Sequence, residues 1–295
     1  IITNMGLTWS DTSDGNTNKT YGWKRDLPDK RDTYHSFKGI VREELPISVD
    51  LRDKCPTIYN QGTLGSCTAN AIAAAYQFDE ILQGEKEVMT PSRLFIYYNE
   101  REIEGHVDTD SGAMIRDGMK SINSQGVCSE KSWPYNTSTF TNKPTSSCYQ
   151  EAENHKSVSY RRVPQSLTAM KACLKSGLPF VFGFTVYESF ESKEVEETGI
   201  MSMPKADEKM LGGHAVMAVG YCEQKKCIIV RNSWGTEWGE DGYFYMPYKF
   251  IRDTGYCSDF WTIRKVHDVA CGPDDVIDAN CDSDELQEDD ITTCQ

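Results

Sequence analysis

No stretch of this sequence reaches eighteen consecutive apolar residues, so nothing in it reads as a membrane-spanning helix. Its eleven cysteines contain no C-x-x-C pair and mostly lie more than ten residues apart, a poor pattern for structural zinc. Basic residues cluster no further than Arg161-Arg162 and Lys225-Lys226, with no stacking aromatics between them, which argues against a nucleic-acid partner. The opening "IITNMGLTWS" lacks the charged and apolar regions of a secretory signal. Internal repeats and low-complexity linkers are also missing. Histidine is scarce, with five in 295 residues, so any imidazole chemistry has few candidates. No metal or cofactor is expected.

What is present fits a folded protein with a sizeable core: 38% of residues are hydrophobic and 11% aromatic. The net charge of −14 is unevenly placed, because residues 268–295 hold ten Asp or Glu and no Lys or Arg. Such a block reads as a solvated acidic tail. Three cysteines, Cys271, Cys281 and Cys294, lie in it, where burial cannot account for them and bridges in an oxidising compartment would. An odd cysteine count leaves at least one thiol unpaired if the others bridge.

The chain divides into a polar extension at 1–46, a core domain at 47–265 and the acidic tail at 266–295. Within the core domain, about 60–155 is mainly helical and about 156–265 mainly β. Residues 66–83 predict a helix burying Ala69, Ile72, Ala73, Tyr76 and Ile81, with alanines on nearly every side, hence a central position. "TPSRLFIYYNEREI" and "GAMIRDGMKSINSQG" predict two more helices, the second stopping at Gly126. "PFVFGFTVY", "HAVMAVGY", "CIIVRNSW" and "GYFYMPY" predict strands. This order gives an α+β fold of two subdomains with a cleft between them.

Cys67 opens the first helix, and Ser66 before it suits an N-cap. The positive end of the helix dipole lowers a thiol pKa there, an advantage that a purely structural cysteine would not use. Of the histidines, His35, His106, His155 and His267 lie in polar, loop-like sequence, whereas His214 opens the apolar strand "GGHAVMAVGY". Asn232 follows on the next strand, where its amide can orient the imidazole. A three-residue loop between those strands puts Asn232 on the His214 face, diagonal to it; a four-residue loop does so only with a bulge. Cys222 and Cys227 flank that turn and form either a hairpin-closing bridge, which requires the bulge, or two free thiols. Gln61, six residues before Cys67, can donate with the Cys67 backbone N–H to a developing oxyanion. Thiol, imidazole, orienting amide and amide donor make a complete acyl-transfer set.

In "QGTLGSC", "GGHAVMAVGY" and "RNSWGTEWGEDGYF" the sequence resembles the papain-like cysteine peptidases, cathepsins among them, over about residues 47–264. The resemblance implies a papain-like fold, with a helical left subdomain carrying the central helix and a β-barrel-like right subdomain. It implies Cys67 as nucleophile, His214 as general base and acid, Asn232 as orienter, Gln61 in the oxyanion hole, and Trp234 covering the Asn232–His214 bond. Ser111, Gly112, Ala113, Met114, Gly212, Gly213, Ala215, Trp234 and Trp238 are the implied substrate-binding residues. Gly112 would face the peptide backbone, and Ala113, Met114, Gly212 and Ala215 would line the pocket for the second residue before the scissile bond. Small apolar walls predict an apolar side chain there, above a floor near Trp261–Ile263. Leu64 and Thr68 stand where the family usually has a cysteine and an aromatic, and the wording is nearer to bacterial or giant-virus members than to animal cathepsins.

The expected function is therefore endopeptidase cleavage of peptide or protein substrates, since no adjacent histidines occur to cap the cleft for dipeptide removal. The alternatives are a non-catalytic binding or structural protein on this fold, or a Cys-His acyltransferase. An extracellular, lysosome-like or virion-associated setting is favoured over the cytosol. In the extension, Trp23 stands out amid charged residues, with Tyr21 and Leu27 expected to bury beside it. Either the segment straps onto the β subdomain, or it obstructs the cleft as a self-inhibitory piece held by charge pairs that acid should loosen.

Overall fold

The computed structural model describes residues 19–37, 44–85, 87–157 and 159–264, and the backbone strand at 276–277. The acidic tail and its three cysteines otherwise lie outside the described residues. In chain order the elements begin with strands β1 (Trp23–Lys24), β2 (Tyr34–His35) and β3 (Ser48–Asp50). Helices α1 (Cys67–Leu82) and α2 (Arg93–Glu104), strand β4 (Ala113–Met114) and helices α3 (Ile115–Ser124) and α4 (Ser146–Ala152) complete the helical half. The other half comprises β5 (Ser159–Arg162), helix α5 (Leu167–Lys175), β6 (Phe180–Tyr187), helix α6 (Lys193–Thr198), β7 (Met210–Cys222) and β8 (Cys227–Arg231). It ends with β9 (Tyr243–Pro247), helix α7 (Tyr248–Arg252), β10 (Cys257–Arg264) and β11 (Val276–Ile277).

Helix α1 is central. Every residue from Cys67 to Glu80 is buried, because alanines let neighbours close in on all faces. Only the end of its predicted face differs: Ile81 is half-buried. Helix α2 starts where Ser92 accepts the Phe95 N–H at 3.1 Å and stops at Gly105, whose φ of 77° suits glycine. The main sheet runs β11-β2-β5-β10-β6-β7-β8-β9, with β3 on β7. It is an open, branched sheet, so the barrel-like expectation is corrected: no closure is formed among the described residues. A cluster of Phe180, Phe182, Phe184, Phe244 and Phe260 fills its core. Helix α1 packs against β7, and the Cys67 thiol at its start meets the backbone amide of Ala215, the residue after His214.

The β7–β8 hairpin answers the parity question. Cys222 opposes Cys227 across a four-residue loop, and a bulge at Val219 shifts the register between Ala218 and Gly220. One extra residue turns the far end of β8 by one face, so Asn232 reaches the side of the sheet that carries His214. Both hairpin cysteines are thiols here, directly opposite each other. Among the described residues no helix is long and apolar enough to cross a membrane.

Candidate active site

Cys67 is the first residue of α1 and fully buried. Ser66 holds the N-cap position without capping by its side chain. Its hydroxyl instead meets Tyr135 Oη at 2.6 Å and accepts from Asn70 Nδ2 at 3.1 Å, tying the loop that leads into Cys67 to the helical half. Thr68 donates its hydroxyl to Glu100 at 2.8 Å, and burial pushes that carboxyl well above the usual carboxylate range.

His214 Nε2 and Asn232 Oδ1 lie 2.8 Å apart and buried. The same Oδ1 accepts the Ser233 backbone N–H at 2.8 Å, so it is an acceptor and the imidazole must donate from Nε2. That tautomer leaves Nδ1 as the basic nitrogen, and it has no partner among the described residues. Trp234 stacks on His214 at 4.9 Å and shields the bond from water. Trp238, expected among the substrate-binding residues, is buried and packs edge-on against Trp234 at 5.0 Å, so here it supports that ring.

Gln61 is fixed from both ends. Its Oε1 accepts from Ser233 Oγ at 2.7 Å, and its Nε2 donates to Leu64 O at 3.0 Å and Thr20 O at 3.3 Å. The second of these acceptors belongs to the N-terminal segment, which runs through the cleft. Lys19 Nζ sits 4.3 Å over the Trp234 ring, and the half-buried Tyr21 lies edge-on to His214 and donates to Glu191. Gly22 passes so close to the loop before Cys67 that a Cβ there would sit 1.7 Å from Gly65 O. Strand β1 then pairs in parallel with β4, Trp23 beside Ala113, and Ala113 N donates to Gly22 O at 2.7 Å.

The expected substrate-binding residues mostly meet this segment. A Cβ on Gly112 would lie 2.1 Å from Gly22 O; on Gly212, 2.7 Å from Tyr21 Cβ; on Gly213, 2.5 Å from Trp23 O. Ser111 donates to the Gly112 carbonyl at 3.0 Å, and Met114 N donates to Glu104 Oε1 at 2.7 Å. Ala215 turns its amide to the Cys67 sulfur. Leu27, expected to bury, is exposed. Trp261, expected at the pocket floor, spends its indole N–H on Asp26 at 2.8 Å.

A cluster invisible in the sequence anchors the segment beyond Trp23. Asp26 meets Arg162 at 3.0 Å, and Asp32 meets Arg116 and Arg162, each at 2.6 Å. Asp259 lies against the same guanidinium at 3.5 Å and accepts the Asp26 N–H at 2.8 Å. Three carboxylates thus share two guanidiniums. Burial, then the neighbouring Asp259, raises the Asp26 carboxyl to about 6. A raised value means that the docked segment holds a proton the free segment would release, so acid strengthens docking at this residue. The expectation that acid loosens the segment is therefore reversed at Asp26.

Covered in this way, Cys67 and His214 are both held toward their neutral forms. Burial pushes the Cys67 thiol up to about 12, against hydrogen bonds from the amides of Ala215, Gly22 and Thr68. Burial brings His214 down to about 4, opposed by the Asn232 bond and aided by Lys19. Both groups are neutral near pH 7. No cluster able to hold a metal ion occurs among the described residues.

Residues 45–259 match the family described as "Papain family cysteine protease". An uncharacterized peptidase C1-like protein of Acanthamoeba polyphaga mimivirus is 46% identical over 290 residues, spanning 90% of this chain and 93% of the relative. A cysteine proteinase of Arabidopsis thaliana is 30% identical over 270 residues, 86% of this chain and 54% of that protein. The crystal structure of xylellain, a cysteine protease from Xylella fastidiosa, superposes with a TM-score of 0.79 at 44% identity, covering 87% of this chain and all of that one. With the thiol, imidazole and amides in one cleft, the matches establish that the chain belongs to the papain family of cysteine proteases and is a peptide hydrolase.

Proposed function

We propose that the chain is an endopeptidase working through a Cys67 acyl-enzyme and held shut by its own N-terminal segment. The observation that carries the reading is the buried His214–Asn232 bond of 2.8 Å beside the thiol that opens α1. In an open cleft, water returns to both groups and the helix dipole favours the thiolate, so Nδ1 takes the thiol proton. The thiolate adds to the substrate carbonyl, whose oxygen becomes an anion facing Gln61 Nε2 and the Cys67 N–H. The imidazolium then protonates the leaving amine, the C–N bond breaks, and a thioester remains. Water, deprotonated by His214, adds to the thioester and releases the acid and the thiol.

The segment's direction supports self-inhibition. Thr20 presents its carbonyl to the oxyanion amide, while Trp23 fills the pocket implied for the second residue before a scissile bond. In a substrate the pocket residue lies one before the attacked carbonyl; here it lies three after it. The segment runs backwards, so it fills the cleft without offering a bond to cut. The test is performed on the full chain carrying Gly22→Ala, whose Cβ would clash with Gly65 O. It should cleave a fluorogenic peptide and lose Cys67 to a stoichiometric thiol-directed epoxide, and Cys67→Ala in that background should do neither. Epoxide labelling with no cleavage would remove the peptidase reading, and transfer to an added amine in preference to water would make it an acyltransferase.

A further inference from the structure

The pocket filled by Trp23 has flat, narrow walls and a polar floor. A Cβ on Gly183 would lie 1.8 Å from Trp23 Cε2, and one on Gly213 would lie 2.8 Å from Cε3, so two glycines from adjacent strands grip the indole. Arg25 lies over the ring at 5.7 Å. At the floor, Asp259 Oδ2 accepts the indole N–H at 3.2 Å, and Asp259 is buried. Its φ of +60° is unusual for a residue with a Cβ, and it falls where the β10–β6 register shifts between Ser258 and Trp261. An uncommon backbone conformation inside a bulge re-aims a side chain, here toward the pocket.

Two of the donors to Asp259, the Trp23 indole and the Asp26 amide, belong to the segment and leave with it. Arg162 stays but loses Asp26 and Asp32, its own segment partners, and so compensates the Asp259 charge. A vacated pocket therefore presents a charge-compensated carboxylate needing a neutral donor, between walls that admit a flat ring. Resting on the peptidase reading above, we propose that Asp259 sets substrate choice. The preferred residue at the second position before the scissile bond carries a flat aromatic side chain with an N–H or O–H donor, tryptophan before all others. This differs from the purely apolar preference suggested by the small walls alone. A phenyl or leucyl group would fill the walls but leave a buried carboxylate oxygen without its donor, and such unmade bonds to charged groups are the costly ones.

The test uses the full chain with Trp23→Ala, which empties the pocket. Peptides differing only in Trp, Tyr, Phe, Leu or Arg at that position are compared by kcat/KM. Tryptophan should exceed phenylalanine by about tenfold or more. Adding Asp259→Ala should bring the ratio to about one. Asp259→Asn, of the same shape and still able to accept, should keep part of it and so guard against a folding artefact. A ratio that survives Asp259→Ala, or arginine or leucine outranking tryptophan, overturns the assignment while leaving the peptidase intact. Cleavage of no peptide removes the peptidase reading and this inference together.

Discussion

Replacing Trp23 with alanine should open the cleft. The side chain is 7% exposed, wedged between Gly183 and Gly213, with its N–H on Asp259. Truncating a tryptophan at so well filled a site costs about 3–5 kcal/mol. Only the docked state contains these contacts, so the loss falls on docking, and the docking constant should drop about a hundredfold to a few thousandfold. Alkylation of Cys67 by iodoacetamide reports the open fraction multiplied by the intrinsic thiol rate, and peptide cleavage reports the same fraction independently. Measured on the full chain at equal concentration, both rates should rise by about a hundredfold. Gly22→Ala should do the same by another route, since a Cβ 1.7 Å from the Gly65 carbonyl cannot be relieved by a rotamer change and every indole contact remains available. If both variants lower the melting temperature yet leave both rates at the wild-type level, the segment is a structural strap and the reasoning fails.

Other consequences follow from the same geometry. Because the docked Asp26 carboxyl is raised to about 6, docking gains as pH falls toward the ordinary carboxylate range and weakens as pH rises through about 6. Wild-type docking measured by Cys67 alkylation, with the reagent's own pH dependence taken from Gly22→Ala, should thus be stronger at pH 5 than at pH 7.5, and Asp26→Asn should remove that difference. A segment released by mild acid would contradict this. Asn232→Ala in the open background should lower kcat while leaving residual turnover, whereas His214→Ala should abolish it, because Asn232 orients the base and exchanges no proton. Glu100→Gln should change stability by less than about 1 kcal/mol by thermal melting, because a protonated acid donating or accepting beside Thr68 is matched by an amide. A large loss would mean that the carboxylate is ionised.

The proposed catalytic residues are legible in the sequence because their chemistry demands residue types at marked places: a thiol at a helix start, a lone histidine entering an apolar strand, and an amide on the next strand. The central helix was equally plain from its alanines. What hid was long-range or one residue in size. The bulge at Val219 leaves no trace in "AVMAVGY", whose residues are apolar on both faces, so alternation cannot count the extra one. Trp23 signals that the extension docks, but its place depends on Gly213, which only the family resemblance singles out, and on Gly183, which nothing in the sequence marks as the wall of a slot. Asp259 did leave a sign, an acid inside the aromatic run "DFWTI", which alternation alone assigns to no partner. The sharing of Arg162 by Asp26, Asp32 and Asp259 needed three segments to meet.

The central claim is that Cys67, served by His214, carries the acyl group. It is tested most directly by trapping that intermediate on the full chain with Gly22→Ala. An activated ester of a short peptide, quenched in acid within one turnover, should leave the acyl mass on the fragment containing Cys67. The adduct should be absent in Cys67→Ala and should form far more slowly in His214→Ala. Acyl mass on any other residue, or peptide hydrolysis persisting in Cys67→Ala, would contradict the account.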